Sequence, residues 1–163
     1  MALDPIDSYH EALREFPGST VAIEHGLERF ATAFGDLTHR DLDQRMASLY
    51  AERIFFNDTI HTFANRQDLV DYMTRTGAGL SESTVDIQQV LQDGPDVFVR
   101  WTMEFHTQAM GRSVHSRSIG MTHLRFDESG QIVVHQDFWD SGHGLYAHLP
   151  FVGFAIRQAH RRM

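Results

Sequence analysis

The chain has 163 residues, of which 42% are hydrophobic and 22% charged, as expected for one globular domain with a sizeable core. Its formal net charge of −8, without a clustered basic face, argues against nucleic-acid binding, which needs cations to neutralise phosphates. It has no cysteine, so disulfide and thiolate chemistry are excluded, and no apolar run long enough to span a bilayer. Residues 1–7 do not resemble a signal peptide, and we expect a cytoplasmic protein with no membrane partner.

The N-terminal part of the chain predicts an arm followed by a helix. The arm covers residues 1–18 and contains a short helix over Ser8–Phe16. We expect it to be loosely attached, because a Pro-Gly pair separates it from the first main helix. Ser19 is a suitable cap for that helix, in which apolar residues recur at helical spacing as far as Gly35.

A second helix, a strand and a loop come next. The helix starts at Thr38 or Asp41, and the strand Arg53–Asn57 opens into a loop that carries Asp58 and His61. The helix is expected to bury a stripe formed by Leu42, Met46, Leu49 and Tyr50. Both loop residues can exchange protons, so they are candidate functional groups.

The middle of the chain predicts a third helix and another strand. Asn65 and Asp68 are a capping pair for a helix that continues to Thr76 and turns Tyr72 inward. Alternation over Ser83–Gln92 predicts a strand, and the Asp-Gly-Pro-Asp sequence after it predicts a hairpin turn.

Three long strands are predicted in the C-terminal third of the chain: Val97–Thr107, Arg112–Phe126 and Gln131–Asp140. The polar turn Asp127–Gly130 between the last two is a strong hairpin signal. With the strand before them they form an antiparallel meander. Strands this long make a curved sheet, and its apolar face must be covered by other elements.

The order of elements predicts an α+β fold. A curved antiparallel sheet forms a cone that packs on the N-terminal helices around an apolar cavity. This cone domain covers residues 19–140, and a helical tail covers residues 141–163. We interpret the basic end of the tail as favourable charge at a helix C-terminus rather than as a membrane anchor.

The last strand carries an unusual set of side chains on one face. Alternation along it places Val133, His135, Asp137 and Trp139 together. A His, an Asp and a Trp are atypical of a plain core. They suit a pocket that holds a small molecule and acts on one of its protons.

Several segments share the pattern of one known superfamily: Asp41–Asp43, Leu49–Glu52, Phe56–Asp58, the hairpin Leu124–Val133 with its Arg-Phe-Asp-x-x-Gly-x-Ile motif, and Asp137–Asp140. Over residues 20–140 the sequence resembles the nuclear transport factor 2-like superfamily, in particular its SnoaL-like and ketosteroid isomerase-like branch. The resemblance implies the cystatin-like cone fold. That fold hosts isomerases, dehydratases, cyclases, epoxide hydrolases and non-catalytic binders, so the activity depends on the site.

The resemblance also assigns positions in the site. Asp58 falls where ketosteroid isomerases keep their general base, although Thr59 replaces the usual Pro. The family's oxyanion Tyr and Asp fall at Glu28 and Thr122, where neither residue type is present, so a steroid-type isomerase is not expected. The cavity face is expected to carry Trp101, Met103, Phe105, His135, Asp137 and Trp139, with Thr122 and Tyr72 as further ligand contacts.

Each candidate acid–base group has a structural alternative. Asp137, on an apolar face, is either functional or held in a structural ion pair. His135 is either its partner in proton transfer or a core His bonded to a backbone carbonyl. Asp58 is either a base at the cavity mouth or a solvated turn acid, and His61 is placed beside it.

The remaining His residues are assigned to the outer face of the sheet. Without bulges, alternation places His106, His115 and His123 there, opposite the cavity. In this fold class that face resembles a dimer interface, so a homodimer is expected. Only His135 and Asp137 have the spacing of a ligand pair, which is too few for a metal site, and we expect neither a metal nor a cofactor.

Two functions remain open. The first is a cofactor-independent isomerase, cyclase or dehydratase acting on a small, largely apolar carbonyl compound, with Asp137 and His135 as catalytic groups and Asp58 or His61 as a second acid–base group. The second is a non-catalytic module that binds a small ligand or dimerises. The absent oxyanion pair favours the second, and an Asp137 that is open to the cavity and free of Arg favours the first.

Overall fold

The computed structural model describes residues 4–109, 111–149 and 152–162. Its helices are α1 (Pro5–Glu15), α2 (Ile23–Gly35), α3 (Leu42–Leu49), α4 (Arg66–Ala78), α5 (Ser141–Gly144) and α6 (Val152–Arg162), with a 3-10 turn over Tyr146–His148. Its strands are β1 (Tyr50–Asn57), β2 (Thr62–Asn65), β3 (Leu80–Asp93), β4 (Asp96–Ala109), β5 (Arg112–Phe126) and β6 (Ile132–Trp139). None of the described helices is both long enough and apolar enough to cross a membrane.

The strands form one six-stranded sheet in the order β2-β1-β6-β5-β4-β3. The predicted meander β3–β6 is present, and its neighbours pair antiparallel. β1 pairs parallel with β6, so the sheet is mixed rather than wholly antiparallel. The short strand β2 was not predicted; it pairs antiparallel with β1 at the edge of the sheet. The α+β class is confirmed.

The core lies between the helices α2–α4 and one face of the sheet, called here the inner face. Met46, Leu49 and Leu69 from the helices pack there with Val97 and Leu124 from the strands, all of them fully buried. The expected cap of α4 is present, because the Asn65 side chain accepts a hydrogen bond from the Asp68 amide. Burial of this apolar stripe supplies most of the stability of such short helices.

A bulge in β6 corrects the predicted alternation. Leu124 pairs with His135, whereas Phe126 pairs with Ile132, so one extra residue is inserted at Val133. Val133 therefore packs with Phe55 on the side of the sheet away from the cavity, not with His135 as predicted. The residues beyond the bulge keep the alternation, and His135, Asp137 and Trp139 share the inner face as expected.

Helix α1 packs on the opposite, outer face of the sheet, so the expectation of a loosely attached arm is wrong. Ala12 is buried in a second apolar cluster with Phe55, Val133 and Val134. The Arg125 guanidinium on β5 donates to the carbonyl oxygens of two arm residues, Leu13 and Phe16. An amphipathic helix that covers apolar sheet residues is held by burial, which the Pro-Gly signal does not reveal.

Candidate functional site

A cavity of about 400 Å³ lies between the inner face of the sheet and helices α2 and α4. Its volume and mostly apolar lining are typical of a small-molecule site. Aromatic and aliphatic side chains cover its walls: Phe30, Phe34, Leu37, Phe56, Met73, Val85, Trp101, Met103, Phe105 and Trp139. A larger cleft of about 540 Å³ lies at the outer side of the sheet. Its lining is more polar than that of the inner cavity, so the inner cavity is the better candidate site for a small apolar molecule.

Three side chains at the back of the cavity form a hydrogen-bonded chain. The Tyr50 hydroxyl lies 2.8 Å from Nδ1 of His135, and Nε2 of His135 lies 2.9 Å from Oδ1 of Asp137. Burial, followed by the charges of Asp137 and Asp58, raises the pKa of Tyr50 well above its usual value. Tyr50 therefore keeps its proton. In the tautomer in which this hydroxyl donates to Nδ1, the Nε2–H of His135 donates to the carboxylate.

A second chain of donors reaches the same carboxylate from the other side. The Trp101 indole N–H donates to Oγ1 of Thr122 at 2.8 Å, and the Thr122 hydroxyl donates to Oδ1 of Asp137 at 2.5 Å. Oδ2 of Asp137 accepts no hydrogen bond from any described residue, and no Arg of the described chain pairs with this carboxylate. One oxygen is thus fixed by protein donors while the other is free for a ligand.

Asp58 also lines the cavity, and it directly follows Asn57, the residue of β1 that pairs with Gln136 of β6. Its carboxylate is held differently from that of Asp137. Its Oδ1 accepts the backbone amides of Ile60 and His61 at 2.9 and 2.7 Å, and its Oδ2 accepts the Tyr72 hydroxyl at 2.6 Å. Burial, and then the bond to Asp58, strongly raise the pKa of Tyr72, so this hydroxyl stays protonated. The Trp139 indole N–H donates to the Asp58 carbonyl oxygen at 2.8 Å, which fixes the loop against β6. Asp58 therefore stabilises the turn through its Oδ1 and also lines the cavity.

Most of the predicted contact residues meet at this cavity, and one does not. Asp137, His135, Asp58, Trp139, Trp101, Met103, Phe105, Thr122 and Tyr72 all line it. His61 is exposed and lies outside the lining, with its ring 4.7 Å from that of Tyr72. Glu28, at the position of the family's Tyr, is exposed on α2.

Tyr50 is the member of this hydrogen-bonded chain that the sequence did not identify. It was expected on the apolar stripe of the second helix, but it is the first residue of β1, and its hydroxyl points to His135. The sequence did contain one signal. A buried Tyr hydroxyl needs a hydrogen-bond partner, and the aliphatic side chains of the predicted helix stripe cannot provide one.

Gly120 allows two aromatic walls of the cavity to approach each other. It lies on β5 opposite both Trp101 on β4 and Trp139 on β6. A Cβ atom at this position would lie 2.5 Å from the Trp101 ring and 2.9 Å from Cβ of Trp139. The missing side chain therefore lets the Trp101 indole reach Thr122.

The predicted outer-face His residues lie on that face. His106 pairs with His115 across β4 and β5, and His123 pairs with the outward-facing Phe98. His123 is nonetheless buried, because α1 covers it. Its Nδ1 lies 2.6 Å from the Tyr9 hydroxyl and its Nε2 lies 2.7 Å from Oδ1 of Asp96.

A family model described as a SnoaL-like domain matches residues 27–135. The match spans α2 to the cavity-facing His135 of β6 and so includes most of the site. No curated protein is similar enough in sequence to match the chain.

Solved structures with the same fold come from several bacteria. A SnoaL-like polyketide cyclase from Shewanella denitrificans is 17% identical, with a TM-score of 0.63, 72% of this chain covered and 92% of the other. A protein of ketosteroid isomerase-like fold from Catenulispora acidiphila, in complex with trimethylamine, is 19% identical, with a TM-score of 0.62 and coverages of 74% and 88%. An LEH-like epoxide hydrolase from M. tuberculosis is 16% identical, with a TM-score of 0.57 and coverages of 77% and 87%. At these identities the likeness concerns the fold alone.

Proposed function

Because the chain belongs to the SnoaL-like domain family and its cavity holds a carboxylate with one free oxygen, we propose that it is a cofactor-independent acid–base enzyme. Its substrate is a small, largely apolar carbonyl compound that fits a cavity of about 400 Å³. The reaction class is proton transfer alpha to the carbonyl, as in an isomerase, cyclase or dehydratase.

The observation that carries this proposal is the hydrogen bonding of Asp137. Oδ1 accepts from His135 and Thr122, and Oδ2 is left for the substrate. Asp137 is therefore assigned as the base. Both ring nitrogens of His135 already have hydrogen-bond partners, Tyr50 and Asp137. His135 is therefore a positioning residue, which holds the Asp137 carboxylate in place and is itself held by Tyr50.

The other predicted groups take supporting roles. Trp101, Met103, Phe105 and Trp139 shape the apolar wall against which a substrate packs. Asp58, which accepts a hydrogen bond from the Tyr72 hydroxyl, is the second acid–base group. Arg75 of α4 also lines the cavity and supplies a positive charge for a developing enolate. His61 lies outside the lining, so we assign it no acid–base role. Its ring packs against Tyr72.

The alternative is a module that binds a small ligand without chemistry. It is favoured by the absence of a Tyr and an acid at positions 28 and 122, and by the use of the Tyr72 hydroxyl in a bond to Asp58. In that case the free oxygen of Asp137 is an acceptor for a ligand N–H or O–H, and no proton is transferred.

Exchange of alpha protons in a panel of small cyclic ketones, followed by NMR in heavy water, tests the proposal without knowledge of the natural substrate. The protein should accelerate exchange, and Asp137→Asn should lower the acceleration by about 10²- to 10⁴-fold, the usual contribution of one positioned base. The matched control is Asp86→Asn on the exposed part of β3, which should not change the rate. Undiminished exchange in Asp137→Asn would show that the assignment is wrong. Ligand binding without exchange by the parent protein would support the alternative.

We also propose that the chain forms a homodimer through the outer face of the sheet. α1 leaves part of this face open, and the apolar side chains of Ile119, Met121 and Phe138 are exposed there by 61%, 37% and 49%. Their register places them side by side on β5 and β6. Sedimentation velocity should give the mass of two chains, and Ile119→Glu should return it to one. A parent protein that sediments as one chain would contradict this.

A further inference from the structure

Four side chains with metal-binding chemistry lie close together on the outer face of the sheet. Glu82 of β3 pairs with His106 of β4, and His106 pairs with His115 of β5, so these three form a row across adjacent strands. Glu104 lies two residues before His106 on the same strand and face. This outer-face cluster is separate from the cavity, since the inner-face residues Met103 and Phe105 alternate with it along β4.

The distances within the cluster are short. The imidazole rings of His106 and His115 are nearly parallel, with centroids 4.2 Å apart. One ligand atom from each of Glu104, His106 and His115 lies within 4.8 Å of the others. A carboxylate oxygen of Glu82 lies 3.9 Å from Nε2 of His106. Two imidazoles and the Glu104 carboxylate are thus available within one small volume, with the Glu82 carboxylate beside His106.

We propose that Glu104, His106 and His115 bind a divalent transition-metal ion, with Glu82 as the fourth ligand. Two imidazole nitrogens with carboxylate oxygens are a set that suits Zn²⁺, whereas Mg²⁺ and Ca²⁺ prefer oxygen ligands alone. In a tetrahedral site with bond lengths of about 2.0–2.2 Å, the ligand atoms lie roughly 3.4 Å from one another. The side chains of His106, His115 and Glu104 are 41%, 48% and 46% exposed, so small rotations can close the remaining gap.

A neighbouring cation limits the affinity of the site. Nε of Arg117 lies 3.7 Å from Oε2 of Glu104, while Oε1 of the same carboxylate faces His115. Metal binding replaces the Glu104–His115 hydrogen bond and brings a second positive charge near the guanidinium. Arg117→Gln should therefore tighten binding, which is the opposite of its effect on a site for an anion.

The sequence does not reveal this site because its ligands follow no short motif. His106 and His115 are nine positions apart in the chain and meet only through the register of β4 with β5. Spacing rules for metal sites on helices or in loops do not include such a cross-strand pair.

Titration of the untagged parent protein with Zn²⁺ by calorimetry, and with Co²⁺ by visible absorption, tests the proposal. One ion per chain should bind, and Co²⁺ should give the strong absorption of a tetrahedral site. His106→Gln and His115→Gln should each weaken binding at least about tenfold, the lower limit seen when even a supporting partner of a ligand is lost. Excess Mg²⁺ should not compete.

Two matched variants separate this site from others. His25→Gln, which removes an exposed His of α2, should leave the titration unchanged. Asp137→Asn should also leave it unchanged, so the result is independent of the proposed enzymatic function. Binding that survives in the double variant His106→Gln/His115→Gln, or that is absent from the parent protein, would overturn the proposal.

Discussion

The protein contains the same Tyr–His–Asp arrangement on both faces of its sheet. On the inner face, the Tyr50 hydroxyl meets Nδ1 of His135, whose Nε2 meets Oδ1 of Asp137. On the outer face, the Tyr9 hydroxyl meets Nδ1 of His123, whose Nε2 meets Oδ1 of Asp96. The two triads therefore share atom-by-atom connectivity, although one borders a cavity and the other lies beneath α1.

The two triads differ in what surrounds the carboxylate. Nε of Arg125 donates to Oδ1 of Asp96 at 2.6 Å. The same guanidinium donates to the carbonyl oxygens of Leu13 and Phe16 at the C-terminal end of α1. Asp137 has no such partner within the described residues, and it lines the cavity. A neutralised carboxylate that anchors a helix is structural. A Tyr–His–Asp triad therefore does not by itself mark a catalytic site, because the counter-charge and the access to the carboxylate decide its role.

Substitution of the two carboxylates should have the largest effect and separate the two roles. Asp96→Asn removes the charge opposite Arg125, and we expect it to lower the free energy of unfolding by about 2–3 kcal/mol, between the values for exposed and buried pairs. Asp137→Asn keeps an oxygen that accepts from His135 and Thr122, so it should cost less than about 1 kcal/mol. Urea denaturation measures both. If Asp137→Asn were the more damaging change, the inner triad would also be structural.

Sequence reasoning predicted the framework of the fold well. Long alternating strands and the Asp127–Gly130 turn give local signals that tertiary packing does not override, and the meander β3–β6 is built from them. The edge strand β2 is four residues long and has no comparable signal. The arm was misjudged because its attachment depends on Ala12 meeting Phe55 and Val134, residues distant in the chain.

The candidate site was predicted in part. Alternation is enough to bring His135, Asp137 and Trp139 onto one face, since the bulge precedes them. It is not enough for Val133, because a bulge depends on how two strands fit together. The bond between Tyr50 and His135 joins residues 85 positions apart, and such a contact arises from the three-dimensional packing alone.

A methyl group at position 120 should have an intermediate effect, which acts on the Trp101–Thr122 chain that donates to Asp137 of the inner triad. Gly120→Ala places a Cβ atom 2.5 Å from the Trp101 ring, so the indole must shift and its bond to Thr122 weakens. We expect a loss of about 1–2 kcal/mol in the free energy of unfolding, the lower part of the range for overpacking. Urea denaturation monitored by Trp fluorescence measures it. Gly35→Ala, where a Cβ atom meets nothing within 4 Å, is the matched control and should not destabilise.

The pH dependence of stability should give the smallest effect, and it reports on the outer triad. Burial lowers the pKa of His123 below its usual 6.5, although the bond to Asp96 opposes this. The unfolded chain therefore binds a proton more readily than the folded protein, so the free energy of unfolding falls as the pH drops below about 6.5. Burial alone would raise the pKa of Asp96, but its bonds from Arg125 and His123 lower it overall, so its contribution is lost only in more acidic solution.

The variant His123→Gln isolates this effect. The groups that face the ring are Tyr9, Asp96 and Arg125, and of the four groups only His123 titrates between pH 7.5 and 5.5 when unfolded. The parent protein should therefore lose more stability between these two pH values than His123→Gln does. Urea denaturation at both values gives the double difference, in which the constant cost of the lost hydrogen bonds cancels. An equal loss in both proteins would mean that the imidazole beneath α1 is as easily protonated as in the unfolded chain, and that the helix does not shield it from water.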